Sequence, residues 1–373
     1  MKCGVVTLFG TDNYGNRLQN YAVEQLLYEL GFDEVHTYVM VQKQNYLVGR
    51  GGKLVLTLKG CLPLRILSLC DIIIEKLSDK LVAKRSEQFR KFNRAYIHEK
   101  RIYVKTFKDI EKKQEIKSND FFVVGSDQVW NPRLTGAAPE YFLKFAPCEK
   151  RVALSASIGI ETIDNQYLDT FKAGIKEMKY ISVREDTARN IVQKTTGRVS
   201  DVFLDPTFLI CVNKWHSLIK KPKYPLPDKY ILTFFLREEP KQSVSLCEKM
   251  YGYEVIHMNN KNYPEMYAWD PSEFLYMIKN AELILTDSFH ATVFSILFHK
   301  QFFVYRRKHK NPEYMFTRLS TLLGRFQLDD RIQNREDFLK KCDIPDEKYN
   351  IIDNEIQMEQ KRVKEILGTI FMG

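Results

Sequence analysis

The residues from Thr286 to His290 read Thr-Asp-Ser-Phe-His and set two hydroxyls, a carboxylate and an imidazole side by side. They follow an apolar run at 283–285 and precede a stretch in which Ala291, Phe294, Ser295, Leu297 and Phe298 recur at helical spacing. Ser288 is thus placed to cap a helix, and the free N–H groups at such an end favour an anion. His290 at that point can hydrogen-bond or protonate whatever anion docks. An ordinary N-cap followed by a histidine with a structural partner fits the same residues. Polar residues close other apolar runs. Asn13 and Asn16 flank Tyr14 as ligand contacts or as turn formers. Gly125 permits close backbone approach, Ser126 offers a hydroxyl, and Asp127 reads as a base, an acceptor for ligand hydroxyls or a turn residue. Arg184 ends a run at 180–183, with Glu185 or Asp186 as alternative ion-pair partners. Arg237, His257, Asn259 and the stretch Arg306, Arg307 and Lys308 stand in similar places.

These residues can meet only if strand ends converge, and the periodicity predicts that they do. Apolar runs of strand length at 3–9, 34–40, 120–124, 151–157, 180–183 and 202–204 alternate with helical spacing at 17–30, 162–178 and 186–196. The stretch 220–228, KKPKYPLPD, is an extended linker. Alternation resumes with strands at 230–236, 254–258, 283–285 and 302–305 and helices at 241–251 and 271–280, and the pattern closes on an amphipathic helix at 351–371. Strand–helix–strand units of this kind build parallel sheets, whose ligands sit where strands end and helices begin. The expected fold is α/β: two Rossmann-like domains, 1–210 and 225–345, facing one cleft in the manner of GT-B glycosyltransferases, with 346–373 as a helix packing back. Residues 49–117 are expected to be a helical elaboration of the first domain. Within it, 66–82 reads as an amphipathic helix. Its basic face suits a lipid surface or simple solvation, and Asp71, Glu75 and Asp79 interrupt it.

With 373 residues and 44% apolar content the chain can bury two cores. The net charge of +10 points to acidic partners such as phosphates, anionic lipids or acidic glycans. No arginine-rich run interleaved with aromatics supports nucleic acid as a partner. The seven cysteines show no metal-site spacing, so no metal is expected, and their odd number suits a cytosolic protein with reduced thiols. No apolar run reaches the length of a membrane span. No GxGxxG follows the first strand and there is no Walker loop, which argues against a dinucleotide or P-loop site.

The stretch TDSFHATVFSILFHKQFFVY resembles the TDSFHG…FS…KPF signature of the polysaccharide pyruvyl transferase family. NYG at Asn13 to Gly15 with Leu18, Gln19 and Tyr21, VGSDQVWN at 124–131, ISVRE at 181–185 and VFLDPTFL at 202–209 resemble further motifs of that family in order. The resemblance covers about residues 3 to 330 and is weakest between about 41 and 117. Ala291 departs from it, since the family has Gly there.

The resemblance implies transfer of a pyruvyl group from phosphoenolpyruvate to two hydroxyls of one sugar in a surface glycan or its lipid-linked precursor, giving a cyclic ketal with no other cofactor. It makes Arg184, Ser288, His290, Arg237 and Arg306 candidates to hold the donor. His290 is the candidate acid, and Asp127 and Asp287 the candidate bases. Asn13, Tyr14, Asn16, Ser126, Gln128 and Asn131 are candidates for the acceptor. The expected setting is cytoplasmic, with peripheral contact at the inner membrane face as an option. A nucleotide-sugar glycosyltransferase on the same scaffold, or a non-catalytic glycan-binding protein at the membrane surface, would share the fold.

Overall fold

The computed structural model describes residues 1–9, 12–42, 80–307, 316–333 and 343–373. The first half is a seven-stranded sheet in the order β3-β2-β1-β4-β5-β6-β7. Its strands are β1 (Lys2–Val6), β2 (Glu34–Gln42), β3 (Glu99–Val104), β4 (Phe121–Gly125), β5 (Arg151–Ala156), β6 (Tyr180–Val183) and β7 (Asp201–Val202). All neighbours pair in parallel. The second sheet runs β12-β11-β10-β8-β9, with β8 (Tyr230–Phe234), β9 (Glu254–Met258), β10 (Leu283–Thr286), β11 (Gln301–Tyr305) and β12 (Ile332–Gln333). It too is parallel throughout. Each sheet reverses its winding once, between β1 and β4 and between β8 and β10, and such reversals open a crevice at the carboxyl ends of the strands. The two crevices face each other, which makes the fold α/β and GT-B-like.

The longer helices are α1 (Tyr14–Glu29), α2 (Lys80–Tyr96), α3 (Asn165–Lys176), α4 (Asp186–Thr196), α5 (Lys241–Tyr251), α6 (Pro271–Asn280), α7 (Phe289–Leu297), α8 (Thr317–Arg325) and α9 (Asp346–Met372). α1 starts three residues earlier than its periodicity predicts. Asn13 has extended backbone and its side chain accepts the Asn16 N–H, so it caps the helix and turns the expected loop into a first helical turn.

The stretch 99–104, expected within a helical elaboration, is a strand instead. It pairs with β2 as the sheet's edge, and the charged side chains of Lys100 and Arg101 face outward, as suits an exposed edge. Most of the expected amphipathic helix at 66–82, with the lipid-facing surface read for it, lies outside the described residues. The longer described helix of 49–117, α2, buries Phe89 and Phe92 and lies between the halves. Among the described residues no helix is long and apolar enough to cross a membrane.

One apolar cluster runs from Leu18 and Phe89 in the first half through Trp215 to Phe274 and Phe294 in the second. α9 straps the two halves together. Near its start the Tyr349 hydroxyl donates to the Lys300 carbonyl (2.5 Å). Midway, Glu359 accepts the Leu204 N–H (3.3 Å), and Gln360 donates to the Phe208 carbonyl (2.7 Å). At its end the Phe371 ring lies 5.0 Å from those of both Phe32 and Phe121.

Candidate active site

The first crevice is a closed polar lattice. Gln19 on α1 donates to Thr7 Oγ1 (2.8 Å) and accepts the Ser126 N–H (2.9 Å), while Thr7 donates to the Ser126 carbonyl (3.2 Å). The Ser126 hydroxyl lies 3.1 Å from both the Ser155 carbonyl and Asp205. Gly125 is required here, because a Cβ on it would lie 1.9 Å from the Leu154 carbonyl oxygen. The lattice presents Asp127, in the left-handed region at φ 64°, to the cleft. Its carboxylate accepts its neighbour's N–H (2.9 Å, Gln128) and faces the Asn16 amide (3.4 Å).

Arg184, from the end of β6, is 4% exposed. Its partner is neither Glu185 nor Asp186. Glu185 turns Oε1 to Ser157 and to the N–H groups of Ile158 and Gly159 (2.8–3.0 Å), and Asp186 pairs with Arg189 (2.9 Å). Arg184 donates instead to Asp205, whose other oxygen is held by Thr207 (2.7 and 3.0 Å). Burial alone would raise the Asp205 carboxyl, but the charge of Arg184, with His290 and the Thr207 bonds, holds it at about 2.

The second crevice brings the helix end. Ser288 accepts the Ala291 N–H (3.4 Å) and caps α7, and Thr286 anchors the turn on the Phe234 carbonyl (2.6 Å). His290 is 7% exposed, with Nε2 3.8 Å from Asp205 Oδ2 and without a hydrogen-bond partner. Its Nδ1 lies where a side chain at position 15 would begin, 1.9 Å from a Cβ placed on Gly15. Burial lowers His290 to about 4, with Arg184 reinforcing the shift against the pull of Asp205. The imidazole is therefore neutral at pH 7.

Arg318, from α8, reaches across to the first half, with Nη1 3.6 Å from Asp127 Oδ1, and Arg184 Nη2 lies 3.8 Å from the same oxygen. Burial would raise the Asp127 carboxyl, but these two arginines outweigh it and hold it below the usual range. Burial, with Arg184 nearby, lowers Arg318 to about 10. Both guanidinium groups approach the Phe289 ring, at 4.4 and 5.7 Å from its centroid. Beside them lies a cavity of about 500 Å³, lined also by Asp205, Asp186, Ser320 and Thr321.

The structure thus brings Asp127, Asn16, Arg184, Ser288 and His290 together, keeps Ser126 and Gln128 beside them as supports, and turns the other expected residues to other partners. Asp287 is fully buried, accepts the Leu236 N–H (2.7 Å) and packs on Arg307 (3.6 Å), so it ties two loops rather than facing a ligand. Tyr14 is 2% exposed, donates to the Trp269 carbonyl (2.8 Å) and stacks on Phe274, a contact between the halves. Ser126 is used up in the lattice. Asn131 caps the short helix at Pro132–Thr135 and donates to Gln128 (2.9 Å), and Asn13 caps α1. Arg306 is exposed and lies over the Phe316 ring (4.2 Å), while the adjacent Arg307 turns inward to Asp287. Arg237 is exposed on the loop after β8.

Two residues escaped the sequence reading. Asp205 looks like a plain Asp-Pro turn, and its one signal was its place inside the VFLDPTFL stretch. Arg318 carried one: with Leu322 and Arg325 it recurs at i, i+4, i+7, an arginine on a helix face that should be apolar.

Among solved structures the chain is similar to the UDP-GlcNAc 2-epimerase of Methanocaldococcus jannaschii at 14% identity, covering 98% of this chain and 99% of that one with a TM-score of 0.49. It is similar to the UDP-GlcNAc 2-epimerase of Neisseria meningitidis bound to UDP-GlcNAc at 12% identity, covering 96% and 100% with a TM-score of 0.40. It is also similar to the wall teichoic acid polymerase TagF at 9% identity, covering 100% and 88% with a TM-score of 0.46. No curated protein matches it. A family model described as polysaccharide pyruvyl transferase matches residues 13–309, from the cap of α1 past the end of β11. That span takes in Asp127, Arg184 and the Ser288–His290 helix end, and the chain belongs to the polysaccharide pyruvyl transferase family.

Proposed function

We propose that this protein transfers the pyruvyl group of phosphoenolpyruvate to two hydroxyls of one sugar, in a surface glycan or its lipid-linked precursor, forming a cyclic ketal and releasing phosphate. The observation that carries the reading is the pairing of His290 with Arg184. Both are buried, and both have ring or guanidinium nitrogens without a hydrogen-bond partner, beside the capped end of α7. Buried polar groups are normally satisfied, so these nitrogens mark where ligand oxygens belong. The donor's carboxylate and phosphate are such oxygens.

In the transfer, the donor's methylene carbon takes a proton, which leaves a cationic centre at the carbon bearing the phosphate. One sugar hydroxyl attacks that centre and loses its proton, the carbon–oxygen bond to phosphate breaks, and the second hydroxyl closes the ring. Two hydroxyl protons are released; one balances the proton gained by carbon and the other leaves on phosphate. His290 on its own is neutral at pH 7, but an anion beside it favours the imidazolium and makes it a proton donor only once the donor is in place. Asp127 is the group to accept a hydroxyl proton. Neutralising its arginines with the donor's charge raises its basicity at the same step.

The test is melting of the purified chain with phosphoenolpyruvate and with UDP- and GDP-sugars, followed by phosphate release with candidate glycans. A ligand that binds only the folded state raises the melting temperature. Phosphoenolpyruvate is expected to raise it and nucleotide sugars to leave it unmoved. A shift with a nucleotide sugar and none with phosphoenolpyruvate would replace pyruvyl transfer with glycosyl transfer.

A further inference from the structure

The donor-side residues named so far leave one strong cation unexplained. Arg318 is 5% exposed, belongs to the second half and spans the cleft to Asp127. Its 3.6 Å approach is an ion pair without a hydrogen bond, and its Nε has no partner. Arg184 mirrors it from the first half, with Nη2 3.8 Å from the same carboxylate oxygen and both Nε and Nη2 unpartnered. Both line the cavity of about 500 Å³, and both approach the Phe289 ring.

A guanidinium is a planar fork that suits carboxylate and phosphate oxygens, and a buried donor left unmade is costly. Arg184 keeps Nη1 on Asp205, but its Nε and Nη2 and the Arg318 fork share the distant Asp127 oxygen as their nearest carboxylate, so both guanidinium groups are short of acceptor oxygens. One anionic group can answer one fork; a ligand with two separated anionic groups answers both.

We infer that Arg318 is a second donor-binding residue, and that with Arg184 it forms a clamp for a small ligand carrying two anionic groups, one for each guanidinium. The assignment of that ligand as phosphoenolpyruvate rests on the function proposed above; the clamp itself does not. Because the two arginines come from opposite halves, a two-headed ligand bridges the cleft and a one-headed anion does not.

The test is calorimetric titration of the full chain with phosphoenolpyruvate and with inorganic phosphate, for the native protein, Arg184→Met, Arg318→Met and the double variant. Each single variant is expected to weaken phosphoenolpyruvate roughly ten- to hundredfold. Either arginine suffices for inorganic phosphate, so each single variant should weaken it no more than about threefold, and only the double variant should lose it. Arg318→Lys keeps the charge without the fork, and its loss for phosphoenolpyruvate should fall between those of the native protein and Arg318→Met. Melting of each variant confirms the fold, and the Lys variant carries the test if the Met variant does not fold. Phosphoenolpyruvate affinity in Arg318→Met within about twofold of native overturns the clamp, and so does an equal loss for both anions. If phosphoenolpyruvate fails to bind but 3-phosphoglycerate shows the two-headed pattern, the donor assignment falls and the clamp stands. If phosphoenolpyruvate binds and is turned over while Arg318 is silent, the reverse holds.

Discussion

The crevice between β1 and β4 and the crevice between β8 and β10 occupy the same place in two similar sheets, yet they are built oppositely. In the first, Thr7, Gln19 and Ser126 bond one another and leave little for a ligand beyond the carboxylate of Asp127. In the second, the loops are tied below the surface by Asp287, and the capped helix end carries a histidine with an unpartnered nitrogen. Carboxylates at the site come from the first half, as Asp127 and Asp205. Cations come from both, as Arg184 on one side and Arg318 on the other. The first half thus holds Asp127 and Arg184 in place through a closed lattice, and the second brings the unpartnered nitrogens of His290 and Arg318 to meet them.

That contrast can be broken most easily at His290. His290→Gln should lower turnover by roughly 10²–10⁴ at saturating donor, the scale of general acid–base catalysis, while donor affinity falls much less. Turnover near native would move the chemistry off the second crevice altogether.

The first crevice should answer in stability instead. Asp205→Asn leaves Arg184 buried without its partner, and breaking such a pair costs about 3–5 kcal/mol. Urea unfolding that shows a loss of under about 1 kcal/mol, the range of an exposed pair, would mean the lattice is not what holds Arg184.

Acid sharpens the comparison further. An unfolded histidine titrates near 6.5 and buried His290 near 4, so between those values the unfolded chain binds the proton and the folded chain does not. Stability from this group is complete above pH 6.5 and declines as pH falls towards 4, by about 3 kcal/mol in all. His290→Gln should flatten that limb of a stability–pH curve. The limb from Asp205 begins lower, below its ordinary 3.8 and towards 2, and should persist in the variant. The smallest effect belongs to the contact between the halves. Tyr14→Phe loses the hydrogen bond to the Trp269 carbonyl and the longer one accepted from Arg85 (3.2 Å), and should cost about 2 kcal/mol in melting experiments.

Much of this was legible because period and punctuation are local. The strand–helix alternation, the cap at Ser288 and the placement of His290 follow from spacing within a few residues. What was not legible depends on partners far along the chain. Asp205 becomes a site residue only because β6 delivers Arg184 beside it, and Tyr14 leaves the acceptor list only because α6 and the Trp269 carbonyl cover it. Arg306 and Arg307 are neighbours in sequence, and only the path after β11 decides which turns inward. The strand at 99–104 was hidden by its own charge, since an edge strand lacks the apolar alternation of a central one.

The strap formed by α9 has a consequence in time. Chains are made from the amino end, and early domains begin to fold while later ones are still being synthesised. Phe32 lies just before β2 and Phe121 opens β4, yet the ring that covers them is Phe371. The first half therefore emerges from the ribosome with an apolar flank bare, and it stays bare through the making of the entire second half. During that interval the flank is a surface for chaperones or for misplaced partners. What completes the first half is the arrival of Phe371 on α9, not the completion of its own sheet.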